Sequence, residues 1–341
     1  MADLTIKDIA KLCGVGTSTV SRAMNNDSGI RPETRERIMR VVKEFHYIPN
    51  NSARNLKMTE SNTIGLIVKG INNRFFQSMY QQFEEELSQK GYDFILKEIG
   101  NDQDLVHMAE EISKEKRLKG LIFLGGMMSN PDTLLQRLSI PYVLCTVALN
   151  ASTTNCASVS IDDEAESRRI TAHLCEQGHR RIAVLAGRRQ DSAVGMLRIR
   201  GYEAALRDYG IEPDPKLIAY TPEEVQDYTA AGGFAAMQQM LESGADFTAV
   251  FAISDLMAFG AYKAIFNAGK RIPEDYSVVG FDGIELTQYM HPSLTTLGQP
   301  TAELASTSIR ELIKVIEGDT DFGKIVLEGT LLVRDSVRRL P

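Results

Sequence analysis

Apolar positions along the chain fall into two rhythms. Near the start they recur every three or four residues: Ile6, Ile9, Ala10 and Cys13, then Val20, Ala23 and Met24, then Ile38, Val41, Val42 and Phe45. That spacing lays one apolar stripe on each of three short helices. Thr5-Ile6-Lys7-Asp8 reads as a capping box, Gly14 in Gly14-Val15-Gly16 supplies a tight turn, and Pro32 suits the first position of the third helix. Two short helices across a glycine turn, buried by a third, follow the helix-turn-helix plan, although any small three-helix bundle shares the periodicity. From Ile64 the rhythm changes. Runs at 64–68, 92–96, 120–124 and 142–147 read as buried parallel strands, separated by amphipathic helices such as Phe75–Gln89 and Leu105–Glu115. A second set, Ile182–Leu185, Leu217–Tyr220, Ala249–Ile253 and Ser277–Phe281, repeats the alternation. The prediction is a small all-α helix-turn-helix head on an α/β body of two doubly wound parallel-sheet lobes. Ligands of such sheets sit beyond the carboxyl ends of the strands, in a cleft.

Charge and side-chain chemistry sharpen this picture. The net charge of −7 conceals a division: residues 1–60 hold ten Lys/Arg against seven Asp/Glu, while the remainder holds 28 against 38. A basic head on an acidic body points to the head as the part that meets a polyanion. The outward face of the second helix separates a DNA reader from a generic bundle. Thr17, Ser18 and Ser21 are short donors and acceptors, and Arg22 is a fork able to bond a guanine bidentately in a major groove. Gly14-Val15-Gly16 is no nucleotide loop, because no strand precedes it and a third glycine is missing.

Several classes recede. Cys13, Cys145, Cys156 and Cys175 form no CxxC pair, so no zinc site or disulfide framework is expected, and they read as small buried hydrophobes in a reducing cytoplasm. No apolar run is long enough to span a membrane, and the first residues do not read as a secretory signal. No Walker loop, GxSxG elbow, HExxH or His/Cys cluster is present, so no catalytic residue, metal or cofactor is expected. His179 reads as satisfying a helix end. On residues alone, a sugar-binding protein without a DNA role and an enzyme on a doubly wound fold stay open as alternatives.

Three segments carry a resemblance: TIKDIAKLCGVGTSTVSRAMN (5–25), PETRERI (32–38) and YIPNNSARNLK (47–57). Together they resemble the head of the LacI/GalR family of bacterial transcription regulators, and the body resembles that family's periplasmic-binding-protein-like core. Gly16 and Arg31 depart from it, standing where the family commonly places serine caps. The resemblance implies a head over 1–49, a hinge helix and linker over 50–61, and an effector-binding and dimerisation core over 62–341. Lobe one would comprise 62–162 plus 293–322 and lobe two 163–291 plus 323–341, with crossings near Asp162, Leu286–Pro292 and Asp321–Gly323. DNA contacts are expected from Thr5, Thr17, Ser18, Ser21, Arg22, Asn25, Tyr47 and Asn50, then from Ala53, Arg54, Leu56 and Lys57 of the hinge. A helix of about eight residues cannot hold itself in water, so the hinge would form only on DNA, with Leu56 as an apolar wedge in the minor groove.

The resemblance also implies an effector site built or bordered by Phe75, Phe76, Asp162, Arg198, Tyr228, Ser254 and Asp282. At least one of Phe75 and Phe76 is expected to be simply core, and Asp255 to cap the helix that follows it. A carboxylate and a guanidinium suit a hydroxyl-rich ligand, so a carbohydrate is the expected effector. The expected partner is pseudo-palindromic double-stranded operator DNA, read by a cytoplasmic homodimer. No leucine heptads follow residue 333, so a coiled-coil tetramerisation tail is not expected.

Overall fold

The computed structural model describes residues 6–24, 29–44, 61–100, 105–125, 138–148, 156–189, 194–319 and 322–341, with Lys43 described in its backbone only. The chain divides into two compact units, Met1–Ser61 and Asn62–Pro341.

In the first unit, three helices are α1 (Ile6–Cys13), α2 (Thr17–Met24) and α3 (Pro32–Glu44). Ile9, Ala10, Cys13, Val20, Ala23, Ile30 and Ile38 form its buried core, with Ile6, Met24, Val41 and Val42 packed at the edge. Gly14 takes a φ of 61°, which lets its N–H bond Lys11 O and turns the chain from α1 into α2. Gly16 O accepts the first bonds of α2 and Arg31 O accepts from Arg35, so both unusual residues do stand where helices begin. Phe45, placed on the third apolar stripe by its spacing, lies outside the described residues.

The second unit opens with β1 (Thr63–Lys69), α4 (Arg74–Gln89), β2 (Asp93–Ile99), α5 (Leu105–Lys116), β3 (Gly120–Leu124), β4 (Tyr142–Cys145) and β5 (Cys156–Ile161). It continues with α6 (Asp163–Glu176), β6 (Ile182–Ala186), α7 (Val194–Asp208), β7 (Ile218–Tyr220), α8 (Ala230–Glu242), β8 (Ala249–Ala252), α9 (Asp255–Asn267) and β9 (Ser277–Asp282). The last elements are β10 (Thr295–Gly298), α10 (Thr301–Glu317), β11 (Lys324–Leu327) and β12 (Thr330–Leu332). Two six-stranded sheets result, ordered β11-β5-β4-β3-β1-β2 and β12-β10-β9-β8-β6-β7. All pairings in the first are parallel, and in the second only β10–β12 is antiparallel. Helices cover the sheets, so β3, β4, β6, β8 and β9 are buried along their whole length. The 92–96 run is different. It lies in β2, an edge strand largely open to solvent, with Lys97 exposed on it. Helices α8 and α9 approach so closely that a Cβ on Gly260 would lie 2.0 Å from Ala230 O.

Sheet membership places the crossings between lobes. The first falls at Asp162, between β5 and α6. The second was expected at 286–292, but β10 pairs with β9, so the chain stays in lobe two through Gly298 and crosses at Gln299–Pro300. The third was expected at 321–323, but β11 pairs with β5, so the crossing comes at Glu328–Gly329. Lobe one therefore takes 301–327 rather than 293–322, and lobe two keeps 293–298 and begins again at 330. Both offsets have one cause: β10, β11 and β12 are strands of only three or four residues, and their pairings are invisible in the sequence. No helix among the described residues is long and apolar enough to cross a membrane. All four cysteines are buried and free, and no described cluster of His, Cys, Asp and Glu could hold a metal.

Candidate functional site

Both sheets reverse their strand order next to the first strand of the lobe, at β1/β3 and at β6/β8. The loops beyond the carboxyl ends of these strands diverge there and leave a crevice. Between the lobes they enclose a cavity of about 210 Å³. Lobe one contributes Lys69 at the end of β1, Asn73, Phe75 and Phe76 at the start of α4, Gly125 after β3 and Thr146 after β4. Lobe two contributes Arg198 from α7, Tyr228 ahead of α8, Leu256 and Asp282, and Gln299 comes from the second crossing.

A buried ionic network forms the floor. Arg198 donates from Nε to Asp163 Oδ1 at 2.9 Å and from Nη1 to Ile253 O at 2.6 Å, and Nη1 lies 3.5 Å from Asp282 Oδ1. Its guanidinium carbon stacks 3.8 Å from the centre of the Phe281 ring. Gln299 donates its side-chain amide to Asp282 Oδ1 at 2.9 Å and its backbone N–H to Asp282 O at 3.0 Å. A third carboxylate, Asp255, accepts from Thr296 Oγ1 at 2.5 Å and from Ile284 N at 2.8 Å. Gly280 must be glycine for this group to fit, since a Cβ there would lie 2.2 Å from Asp255 Oδ1. Two carboxylates thus share one guanidinium, and the third is held by a hydroxyl and a backbone N–H. Burial raises the pKa of Asp282 to about 6, against the pull of Arg198 and Gln299. Burial raises Asp163 too, opposed by Arg198, and raises Asp255 well above the usual range with help from the Asp282 charge.

Backbone strain marks the same place. Four described residues other than glycine have positive φ, and three of them line the cavity: Thr146 at 72°, Tyr228 at 54° and Asp282 at 119°. Such conformations are unfavourable for side chains with a Cβ and concentrate where geometry serves a site. The crossings are tied to this floor. Arg198 holds Asp163, next to the first crossing, and Asp282 holds Gln299 on the second. At the third, Glu166 Oε1 accepts from Gly329 N at 2.8 Å while Arg169 Nη2 donates to Gly329 O at 2.7 Å, so both sides of one residue are gripped from α6.

The sequence-derived candidates divide. Phe75, Phe76, Arg198, Tyr228 and Asp282 come together around the cavity. Phe75 is both core and lining, being 4% exposed, while Phe76 lies against Gly125. Asp162 and Ser254 are not among the lining residues, because each is used as a helix cap. Asp162 accepts from Ala165 N at the start of α6, and Ser254 from Met257 N at the start of α9. Asp255, expected as that cap, is instead the buried partner of Thr296. His179 differs as well. Its backbone N–H bonds Leu174 O at the end of α6, but its ring joins Thr248 to the carbonyl of Arg338. Asp163, Thr146 and Gln299 were missed, and only Asp163, beside the candidate Asp162, lay within reach of sequence reasoning.

In the head, Thr17, Ser18 and Arg22 are exposed along one face of α2 and Ser21 is half-buried. Thr5, Asn25, Tyr47, Asn50, Ala53, Arg54, Leu56 and Lys57 lie outside the described residues.

Comparison with known proteins agrees with both units. Residues 5–50 match the family described as bacterial regulatory proteins, lacI family, and residues 171–337 match the periplasmic binding protein-like domain. The chain is 36% identical over 339 residues to the HTH-type transcriptional regulator MalR of Clostridium butyricum, covering 98% of this chain and 99% of that one. It is 32% identical over 338 residues to the HTH-type transcriptional repressor CytR of Escherichia coli K12, covering 99% and 97%. Among solved structures, the transcriptional regulator CelR–cellobiose complex matches with a TM-score of 0.72 at 33% identity, covering 98% of this chain and 99% of that one. The lac repressor dimer bound to operator and the anti-inducer ONPF matches with a TM-score of 0.79 at 27% identity, covering 99% and 100%. A helix-turn-helix head, a two-lobed body with a cavity at its switch points and these near full-length relatives lead to one assignment: the chain is a DNA-binding transcriptional regulator and belongs to the LacI family of bacterial regulatory proteins.

Proposed function

We propose that the protein is a homodimeric repressor whose operator affinity is switched by a small polar effector, a sugar, held in the cavity between its lobes. The observation that carries this reading is the floor of that cavity. A guanidinium and a carboxylate face the same space beneath Phe75, Phe76 and Tyr228, and both also hold inter-lobe crossings. Carboxylate and guanidinium pairs bond vicinal hydroxyls, and aromatic faces cover the apolar side of a sugar ring. Relatives support the reading: one solved structure of the family contains cellobiose and another, from Enterococcus faecium, contains ribose. On this reading a ligand at Arg198 and Asp282 favours one arrangement of the lobes, and the spacing of the two heads follows.

In the head, Thr17, Ser18, Ser21 and Arg22 read base edges and phosphates, with Thr5, Asn25 and Tyr47 beside them. Asn50, Ala53, Arg54, Leu56 and Lys57 form the hinge contacts in the minor groove. Two copies are needed because one helix-turn-helix head buries little surface, so the operator is a near-palindrome.

The test is an operator titration at one fixed salt concentration with and without sugars, using an operator selected from genomic fragments. The expected result is tight binding by a dimer and a change of tenfold or more with at least one sugar. Operator binding that no sugar alters, with no sugar bound by calorimetry, overturns the effector part. Tight operator binding by a monomer overturns the dimer.

A further inference from the structure

We infer that the effector is an uncharged, unphosphorylated polyhydroxyl compound, and that the cavity excludes its phosphorylated form by charge. The inference rests on the proposed effector site and adds the ligand's charge class. The described lining includes two cations, Lys69 and Arg198, and three acids, Glu98, Asp227 and Asp282. Two more carboxylates stand immediately behind: Asp163, bonded to Arg198, and Asp255, packed under Gly280 beside Asp282. Arg198 already gives Nε and Nη1 to Asp163, Asp282 and the Ile253 carbonyl, which leaves single donors for a hydroxyl but no free fork for a bidentate phosphate contact. A phosphate dianion needs converging guanidinium or ammonium groups, or uncapped helix amides.

Three of the helix starts at this cavity are already capped by side chains, that of α8 by Thr229, which accepts from Gly232 N. Asn73 accepts from Phe75 N at the start of α4. Ser254 accepts from Met257 N at the start of α9, where Asp255 adds its own negative charge to the first turn. The dipole of a helix start amounts to about half an elementary charge, against three acidic side chains in the lining itself. A neutral hydroxyl, by contrast, satisfies a carboxylate by donating to it and takes donors from Arg198, Gln299 or Asn73. Such a regulator reads the pool of a compound ahead of any phosphoryl-transfer step and is blind to the product of that step.

The experiment is calorimetric titration of the full chain at pH 7.5 with matched pairs: ribose and ribose 5-phosphate, cellobiose and its 6′-phosphate, adenosine and its 5′-monophosphate. The expected result is that one free member binds while its phosphorylated partner binds at least 100-fold more weakly. Asp227→Asn, which removes one lining charge without changing shape, should then narrow the gap within that pair by fivefold or more. A phosphorylated member that binds within tenfold of its free partner, or more tightly, overturns the charge inference and leaves the effector site standing. A gap unchanged by Asp227→Asn also overturns it, because exclusion is then steric. A chain that binds no member of any pair overturns the effector reading itself, and this inference with it.

Discussion

Replacing Arg198 with alanine tests the floor of the cavity directly. The substitution removes the charge that Asp163 and Asp282 share, the donor to Ile253 O and the cation over the Phe281 ring. Breaking a buried ion pair from one side costs roughly 3–5 kcal/mol, and the orphaned carbonyl adds about 1 kcal/mol. Together they imply a loss of about 5 kcal/mol, which for a body of this size lowers its Tm by roughly 8–12 °C. The loss should depend on pH. Burial raises Asp163 and Asp282 even with Arg198 present. Without it both shift further, so the folded variant holds protons at neutral pH that the unfolded chain, titrating near ~3.9, does not. A carboxylate whose folded pKa is raised contributes stability at low pH that disappears as pH rises through that value. The deficit relative to wild type is therefore largest near pH 8 and about half as large at pH 5. The chain has no tryptophan, so melting is followed by circular dichroism at 222 nm, and the transition of the larger unit is read separately from that of the head. A deficit below 1 kcal/mol at pH 8, or one that does not shrink at pH 5, refutes the reasoning.

Asp282→Asn removes a carboxylate whose pKa burial raises to about 6. Wild type gains stability as pH falls from about 6 towards ~3.9 and the variant does not, so the variant's Tm relative to wild type should rise between pH 4.5 and 7. A constant difference across that range contradicts the buried-charge account. Gly280→Ala pushes a methyl group into Asp255 Oδ1 and should displace it from Thr296 and Ile284, lowering the Tm of the body by several degrees. Adding Asp255→Ala to the same chain should recover part of that loss, and no recovery means the clash lies elsewhere. In the head, Arg22→Ala should flatten preference at one base position in each half-site, an effect of ~1–3 kcal/mol per bidentate pair. A base-preference profile that stays the same after the substitution removes Arg22 from direct readout.

How legible these features were depended on what creates them. Six of the eight apolar runs became interior strands because a parallel strand buried on both faces needs an uninterrupted apolar stretch, and the other two, in β2 and β7, lie at sheet edges. The head was readable for a similar reason, since its stripes at helical spacing are the core itself. β5 hid because Ser158 and Ser160 are wholly buried within it and break its apolar run. β10 hid because Thr295 and Thr296 occupy its interior, bonded to Arg334 N and Asp255 rather than to water. Missing β10 moved a crossing by eight residues or so and concealed Gln299, which follows it. Asp162 and Ser254 were chosen because carboxylates and hydroxyls at strand ends suit both ligands and helix caps, and nothing in sequence separates the two uses. The shared proton economy of Asp163, Asp255 and Asp282 is a property of distance and burial, and residue spacing carries no trace of it.

The late strands carry a consequence for biosynthesis. β11 completes an edge of the first sheet and β12 an edge of the second, although β1 and β6 are made long before. Neither lobe can close its sheet until residues 324–332 have left the ribosome, whereas the head is complete once residue 61 has emerged. A nascent chain therefore exposes open strand edges in both lobes for most of its synthesis, the state in which sheets pair with the wrong neighbour. A frameshift or stop codon near residue 320 leaves an intact DNA-reading head on two unfinished sheets. Such a product carries sheet edges that nothing covers, which makes it prone to aggregate.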